Sequence, residues 1–397
     1  MLACTARGPA GGVARTSWLS LSPVATSRRL PPVGRSRDIS TSSSQYSSSK
    51  ASSRAYRFWT SDDPLIRALR RRQETYRLAK APQGARHKAD RLEAVQLAKS
   101  EIRWIVEHVR KFQGAAAPTK TKSTLTRASR RELVSMTVLM TRHNVPISYL
   151  LGSVPFGSLS QELTVRPPIL LPRPETEYWA TEVVNALLEK LSPAQLEEVR
   201  VVDLCTGSGC IVLLIADALR ARVGQGKKWR VIACDQSELA VELARENAVK
   251  LGFSVNEHQS NVHIVKADVF DDAAMDQLAK IAGGPFHLIV SNPPYIPRRE
   301  WESLPSEVKQ HEDPAALIGE RDIASIASPA AQRSSSDARQ SYLDRHGLAF
   351  HQRLAELLYR ATFSIHLPQL PRLVAEYGKG QQKLVERLLC WIHCWQG

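Results

Sequence analysis

From residue 199 onward the 397-residue chain alternates between two hydrophobic periods. Short aliphatic and β-branched runs at 199–204, 230–234, 262–266 and 287–291 read as buried strands. Between them, apolar positions recurring every three or four residues predict helices at 211–219, 237–251 and 275–281, the second opened by Ser237 as its cap. A further helix is predicted at 175–191. Alternation of this kind means a parallel sheet covered by helices on both faces, an α/β domain.

Upstream the pattern changes. In 91–112, Leu92, Val95, Ile102, Ile105, Val109 and Phe112 form one stripe at helical spacing, and 132–140 is a second apolar helix. A Pro/Lys/Thr loop at 115–126 separates them. Residues 58–144 are therefore read as a small all-α domain. Residues 145–172, rich in Pro, Gly and alternating apolar positions, are read as a hairpin linker. The α/β domain is assigned to 173–397, with a Ser/Ala-rich insertion of little core-forming power at about 323–340, expected to be a mobile loop.

Charge refines this division. Residues 1–60 hold nine Lys/Arg against Asp38 alone, and 61–150 hold nineteen against eight acids. With a formal net charge of +15 for the whole chain, 151–397 is left four charges negative. Arg7, Arg15, Arg28, Arg29, Arg35 and Arg37 precede the first acid among Ser, Ala and Pro, and a Ser-rich tract follows. That is the composition of a transit peptide, so 1–57 is read as a mitochondrial leader and linker; a disordered tail with no address is the alternative. The basic residues of the helical domain fit either a solvated face or a docking surface for an acidic partner or RNA. No apolar run reaches eighteen residues, so no membrane span is expected. Cys4, Cys205, Cys210, Cys234, Cys390 and Cys394 show no zinc-like paired spacing, and the turn holding Cys390, His393 and Cys394 supplies too few ligands; no metal is expected. Cys205, Cys210 and Cys234, at predicted strand ends, read as reduced core residues.

The candidate chemistry lies at the strand ends. The first strand runs into Asp203-Leu-Cys-Thr-Gly-Ser-Gly-Cys210. Gly207 and Gly209 let the backbone approach a ligand where the next helix presents free N–H groups. A dinucleotide fingerprint would need glycine at 212, which is Val. An acid placed like Asp203 is typical of sites for the amino-acid part of S-adenosylmethionine. Asp235 ends the second strand, where a carboxylate can accept from ribose hydroxyls. Asp268, Val269 and Phe270 end the third, where an adenine would lie. Each acid alone reads equally as a helix cap or loop charge; in order at successive strand ends they point to one cofactor. The fourth strand ends in Ser291-Asn-Pro-Pro-Tyr295, the most specific signal in the chain. Its two prolines stiffen the turn and free its carbonyls. The Asn292 side-chain oxygen and the Pro293 carbonyl can accept the two N–H bonds of a planar amide or amine, and the Tyr295 ring can lie on its face. The nitrogen is then held toward an electrophilic carbon, which is catalysis by orientation.

At these motifs the chain resembles the HemK/PrmC family of protein-glutamine N5-methyltransferases, which modify the glutamine of the Gly-Gly-Gln motif in class I peptide release factors. The resemblance runs from about 133 to 380. It includes Pro-Ile-Ser-Tyr-Leu-Leu-Gly at 146–152, Leu-Pro-Arg-Pro-Glu-Thr-Glu at 171–177, the 203–210 loop and Asn-Pro-Pro-Tyr at 292–295. It implies a Rossmann-like S-adenosylmethionine-dependent methyltransferase domain behind a small all-α domain. Cofactor contacts would fall on Asp203, Cys205, Thr206, Gly207, Ser208, Gly209, Asp235, Asp268, Val269 and Asn292. Catalysis and glutamine binding would fall on Asn292, Pro293, Pro294 and Tyr295, with Arg173 and Glu177 on the substrate side. The partner would be a class I release factor, met in the mitochondrial matrix by a monomer that touches neither membrane nor nucleic acid directly. Some relatives carry an aromatic at 269, so Val269 would stack more weakly. The family continues through two strands beyond the region matching 373–378, so the C-terminus reads as truncated and the last strand would have an unpaired edge. Two alternatives stay open: an N6-adenine or N2-guanine nucleic-acid methyltransferase sharing the Asn-Pro-Pro-Tyr loop, and an inactive paralogue that binds a partner. The negative charge of 151–397 weighs against a grip on duplex.

Overall fold

The computed structural model describes residues 2–4, 63–80, 88–112, 125–257, 259–321 and 338–395. The leader reading lies outside these residues except at Leu2–Cys4, as does 322–337 of the expected insertion. The chain divides into two units, Gly11–His143 and Asn144–Gly397 together with the first ten residues.

The first unit contains three described helices, α1 (Pro64–Lys80), α2 (Lys88–Phe112) and α3 (Arg127–Arg142). Their buried contacts come from Ile66 and Leu69, from Ile102, Ile105 and Val109, and from Leu133, Met136 and Met140. Helix α3 starts five residues before its apolar pattern does, because the Thr126 hydroxyl accepts from the Ser129 N–H at 3.1 Å and caps it. Leu92, expected in the stripe, is 59% exposed: the buried face of α2 begins one to two turns later, at Ala98. Within the packed face sits a buried carboxylate, Glu101. It accepts from Gln73 Nε2 at 2.6 Å and pairs with Arg77, which compensates the burial of its charge.

The second unit is built on a six-stranded sheet. Its strands are β1 (Leu2–Cys4), β4 (Arg200–Leu204), β5 (Arg230–Asp235), β6 (Val262–Lys266), β7 (Leu288–Ser291) and β8 (Leu373–Ala375), in the order β1-β8-β7-β4-β5-β6. All neighbours run parallel except β1 and β8. A small hairpin, β2 (Ser153–Val154) with β3 (Leu163–Thr164), precedes it. The helices are α4 (Ile147–Leu151), α5 (Pro174–Lys190), α6 (Cys210–Val223), α7 (Glu238–Lys250), α8 (Asp272–Ala282), α9 (Ala338–His346), α10 (Ala349–Tyr359) and α11 (Gln382–Trp395), with short turns between them.

Alternate strand residues serve opposite faces, as the pleat demands. Val201, Val231, Ala233, Leu288, Val290 and Val374 pack with α5, α6 and α7. Val202, Ile232, Cys234, Ile289, Leu373 and Ala375 pack with α8, α10 and α11. Each fully buried aliphatic side chain contributes about 1.5–3 kcal/mol, and two such layers hold the strand ends in register.

Three expectations are corrected. Part of the insertion is helical, since α9 begins at Ala338, within the stretch read as a loop. Cys210 is not at a strand end but is the first residue of α6, behind the N-cap Gly209. The outer edge of β8 is paired: Leu2 faces Ala375 and Cys4 faces Leu373 in antiparallel register. An open row of backbone donors and acceptors takes an extended segment readily, and here that segment falls inside the stretch read as a leader.

Candidate active site

The carboxyl ends of β4, β5, β6 and β7 meet at an open cleft of about 740 Å³. That is the place of a small-molecule site in an open parallel sheet. Cys205, Gly207, Cys234, Asp235, Asp268, Val269, Asn292 and Pro294 line it. The hairpin linker closes one side with Pro168, Ile169 and Leu170, and Asp313, Ala315 and Ala316 close another.

At the end of β4 the chain makes a tight turn. Cys205 takes φ +64° and Gly207 φ +56°. The left-handed backbone costs a residue with a side chain about 1–2 kcal/mol, so Cys205 occupies a glycine-like position under strain. A Cβ built on Gly207 meets nothing within 4 Å and would project into open space, whereas one on Gly209 would press Ala244 and Leu213 at 3.1 Å. The loop is thus open toward the cleft and closed toward the protein. Asn247, fully buried, fastens it: its Nδ2 donates to the Ser208 and Thr164 carbonyls, tying loop, α7 and hairpin together.

Asp203 is completely buried behind this loop. Its Oδ2 accepts from the Thr206 hydroxyl at 2.7 Å, and its Oδ1 has no hydrogen-bond partner. Burial pushes its carboxyl up to about 7, partly offset by the Thr206 hydrogen bond. Asp235 accepts from the Gly207 N–H at 2.9 Å through Oδ2 and from the Ser237 N–H at 2.9 Å through Oδ1. It therefore shapes the glycine loop as well as facing the cleft, and burial raises its carboxyl too. Asp268 Oδ1 turns back to the Phe270 N–H, while the Val269 carbonyl accepts from Arg353 Nε at 2.7 Å. Phe350 stacks edge-on against Phe270 at 5.0 Å, so α10 anchors this loop. The Cys234 and Cys210 thiols are buried and held protonated, Cys210 pushed up to about 12.

The end of β7 carries the second half. The Ser291 hydroxyl donates to the Leu204 carbonyl at 2.6 Å, locking the two strand tips together. Asn292 Nδ2 donates to the Thr176 hydroxyl oxygen at 3.1 Å, and the Tyr295 hydroxyl donates to Glu376 Oε1 at 3.1 Å. Burial and the Glu376 carboxylate push the Tyr295 phenol far up, so it stays a donor. The turn itself is seated on glycine. A Cβ on Gly347 (φ +66°) would lie 2.2 Å from the Tyr295 carbonyl oxygen, and one on Gly319 would lie 2.8 Å from Tyr295 Cα.

The sequence-derived residues thus separate into groups. Cys205, Gly207, Asp235, Asp268, Val269, Asn292 and Pro294 share the cleft wall; Asp203, Thr206, Ser208 and Gly209 stand behind it; Pro293 and Tyr295 continue the turn. Arg173 and Glu177 are engaged within the fold. Arg173 pairs with the buried Glu312, and Glu177 Oε1 accepts from the Gly157 N–H at 2.9 Å, bracing the hairpin linker. Sequence reasoning missed Thr176, Trp179 and Glu376 around Asn292, and Phe350 beside Val269. Thr176 lay inside a motif already singled out, and Glu376 inside the stretch 373–378 matched to the family, but neither had been given a role. Among the described residues there is no cluster of three potential metal ligands, and no helix is long and apolar enough to cross a membrane.

Sheet, glycine loop and strand-end acids define a methyltransferase-type α/β domain, and residues 196–320 match the family model described as "Methyltransferase domain". The chain is 35% identical over 176 residues to the release factor glutamine methyltransferase of Chlorobaculum tepidum, covering 44% of this chain and 52% of that protein. It is 34% identical over 180 residues to the human MTRF1L release factor glutamine methyltransferase, covering 44% and 47%. With the release factor glutamine methyltransferase of Bacillus cereus it shares 30% identity over 259 residues, 64% of this chain and 72% of that protein. The chain belongs to the release factor glutamine methyltransferase family. It spans about half the length of the first two of these relatives.

Proposed function

We propose that the protein transfers a methyl group from S-adenosylmethionine to the side-chain amide nitrogen of the glutamine in the Gly-Gly-Gln loop of a class I peptide release factor, in the mitochondrial matrix. The observation that carries the reading is Asn292 at the cleft wall, with Nδ2 committed to Thr176 and its amide oxygen left for a ligand.

The residues present fit the cofactor. The orphaned Oδ1 of Asp203 suits the ammonium end of the methionine moiety, and the open side of Gly207 leaves room for its backbone. Asp235, still holding lone pairs beyond its two backbone bonds, would take the ribose. Asp268 and Val269 would border the adenine, with Phe350 supplying the aromatic edge that position 269 lacks. When bound, the cofactor supplies an activated methyl carbon on a sulfonium.

The chain's own contribution is geometric. An amide nitrogen is a poor nucleophile because its lone pair is delocalised. Asn292 Oδ1 and the Pro293 carbonyl accept its two N–H bonds and turn the nitrogen toward the methyl carbon, while the Tyr295 ring supports the carboxamide plane. Orientation of this kind is worth on the order of 7–11 kcal/mol in well-aligned systems. The leader composition supports the mitochondrial address, and the basic helical unit supports contact with an acidic face of the release factor.

Labelled S-adenosylmethionine and purified release factor test the reading. Label is expected on the Gly-Gly-Gln glutamine, and Asn292→Ala should abolish it while cofactor binding, followed by calorimetry, weakens but stays detectable. Label on nucleic acid in place of the release factor, or full activity in the variant, overturns it.

A further inference from the structure

Resting on the proposed reaction, we infer that Glu376 and Thr176 form a positioning relay that fixes which end of the Asn292 amide faces the cleft. A side-chain amide can turn over by half a rotation, and the two orientations present opposite chemistry: an oxygen that accepts or an NH₂ that donates. Only the first can hold a substrate N–H. Something must choose, and the hydrogen bonds around Asn292 do.

The choice starts at the end of β8. The Glu376 carboxylate only accepts, and three donors converge on it. The Thr176 hydroxyl donates to Oε2 at 2.7 Å, Trp179 Nε1 donates to the same oxygen at 2.9 Å, and the Tyr295 hydroxyl donates to Oε1 at 3.1 Å. A threonine hydroxyl has one proton. With that proton spent on Glu376, its oxygen can only accept from Asn292, so Asn292 must turn Nδ2 toward it. Its Oδ1 is then the end left for the ligand. Thr176 is 1% exposed and Trp179 3%, so water has little access to substitute for either donor.

The carboxylate is itself fixed in place. The Glu376 N–H donates to the Ser291 carbonyl at 3.0 Å, next to Asn292 in the chain, and His351 Nε2 bonds the Glu376 carbonyl at 2.9 Å. Thr176 and Trp179 lie near the start of α5, where Pro174 occupies the first helical position and Glu175 and Glu177 fill the first turn. A segment 116 residues away in sequence therefore sets the polarity of the reactive turn. Neither Thr176 nor Glu376 need touch substrate; both act through Asn292 and Tyr295.

The test compares the full-length parent with Thr176→Val, which keeps shape but deletes the hydroxyl, Thr176→Ser, which restores it, and Glu376→Met as a second break. Two readouts are taken on folded protein, checked by thermal unfolding. The first needs no substrate: hydrogen exchange of the Asn292 side-chain NH₂, observed by NMR with Asn-selective ¹⁵N labelling. It is expected to be slow in the parent and in Thr176→Ser, and at least about tenfold faster in Thr176→Val and Glu376→Met. The second is turnover on the Gly-Gly-Gln peptide: kcat should fall about 10- to 100-fold in both breaking variants, with S-adenosylmethionine affinity unchanged and Thr176→Ser close to the parent. Unchanged Asn292 exchange in folded Thr176→Val overturns the relay. Absence of turnover in the parent itself would instead count against the proposed reaction, and the exchange result would still decide the relay.

Discussion

The two halves of the cleft are built on different plans. The cofactor half, at the tips of β4, β5 and β6, presents local pieces to the cleft: a glycine loop and two strand-end acids bonded mainly to backbone of their own or the neighbouring strand-end turn, with Asn247 and Arg353 bracing the loops from behind. The target half, at β7, is assembled from distant ones. Asn292 is fixed through Thr176 of α5 and Tyr295 through Glu376 past β8, while Gln381 and Gly347 hold the Tyr295 backbone. A ligand common to many enzymes can be held by a compact local device. Presenting one amide nitrogen in one orientation takes fixed points from several directions, and a parallel sheet supplies them because its strand tips gather remote segments at one edge.

Breaking the target half alone gives the largest effect. In Gly347→Ala the added Cβ lies 2.2 Å from the Tyr295 carbonyl oxygen, so backbone must shift. Turnover is expected to fall about 100-fold, since misplacement near 1 Å costs that much, with cofactor affinity within a few-fold of the parent. Steady-state kinetics beside calorimetry separates the two; equal losses in both would mean that the halves are not independent.

Breaking the cofactor half gives the next. Asp203→Asn removes a charged acceptor and should weaken cofactor binding by about 1.5–3 kcal/mol at pH 8. The parent's affinity should also decline as pH drops below 7 and Asp203 gains its proton, whereas the variant's should not. The sign for stability is opposite. Folding raises the Asp203 pKa, so the buried charge costs stability above about pH 7 and the cost fades as pH falls toward its unfolded value. Cofactor-free Asp203→Asn should therefore melt higher than the parent at pH 8, and a lower melting point would contradict this account of the site.

The smallest effect concerns the link behind Glu376. Burial depresses His351 to about 4, so the folded protein keeps it neutral where the unfolded chain would charge it. Its contribution is full above about pH 6.5 and is lost as pH falls toward 4. The stability advantage of the parent over His351→Gln, from chemical denaturation, should shrink by about 2 kcal/mol between pH 7 and pH 5. A difference that stays level over that range would mean that His351 is reached by water.

Legibility in the sequence follows the same division. The α/β alternation showed because strands buried on both faces are continuous apolar runs, and the 203–210 loop, Asp235 and Asn292–Tyr295 showed because their chemistry is contiguous. The segment holding Glu376 was recognised but its role was hidden: that role depends on β8 lying beside β7, which no local pattern encodes. Glu177, read as a substrate contact from its motif, braces Gly157 through Oε1, a second role its motif did not announce. Motif membership marks a segment, while the helix start at Pro174 decides which of its side chains turns inward: Thr176 does, and Glu177 faces the linker. The pairing of Leu2–Cys4 with β8 was equally hidden, because composition describes a segment's average character and not the edge it meets.

The most direct trial of the central claim is a structure of the protein with S-adenosylhomocysteine and a Gly-Gly-Gln peptide in the cleft. The glutamine carboxamide should give its two N–H bonds to Asn292 Oδ1 and the Pro293 carbonyl, with its nitrogen facing the cofactor sulfur. A carboxamide bound away from that turn, or an Asn292 presenting Nδ2 to it, would contradict the account.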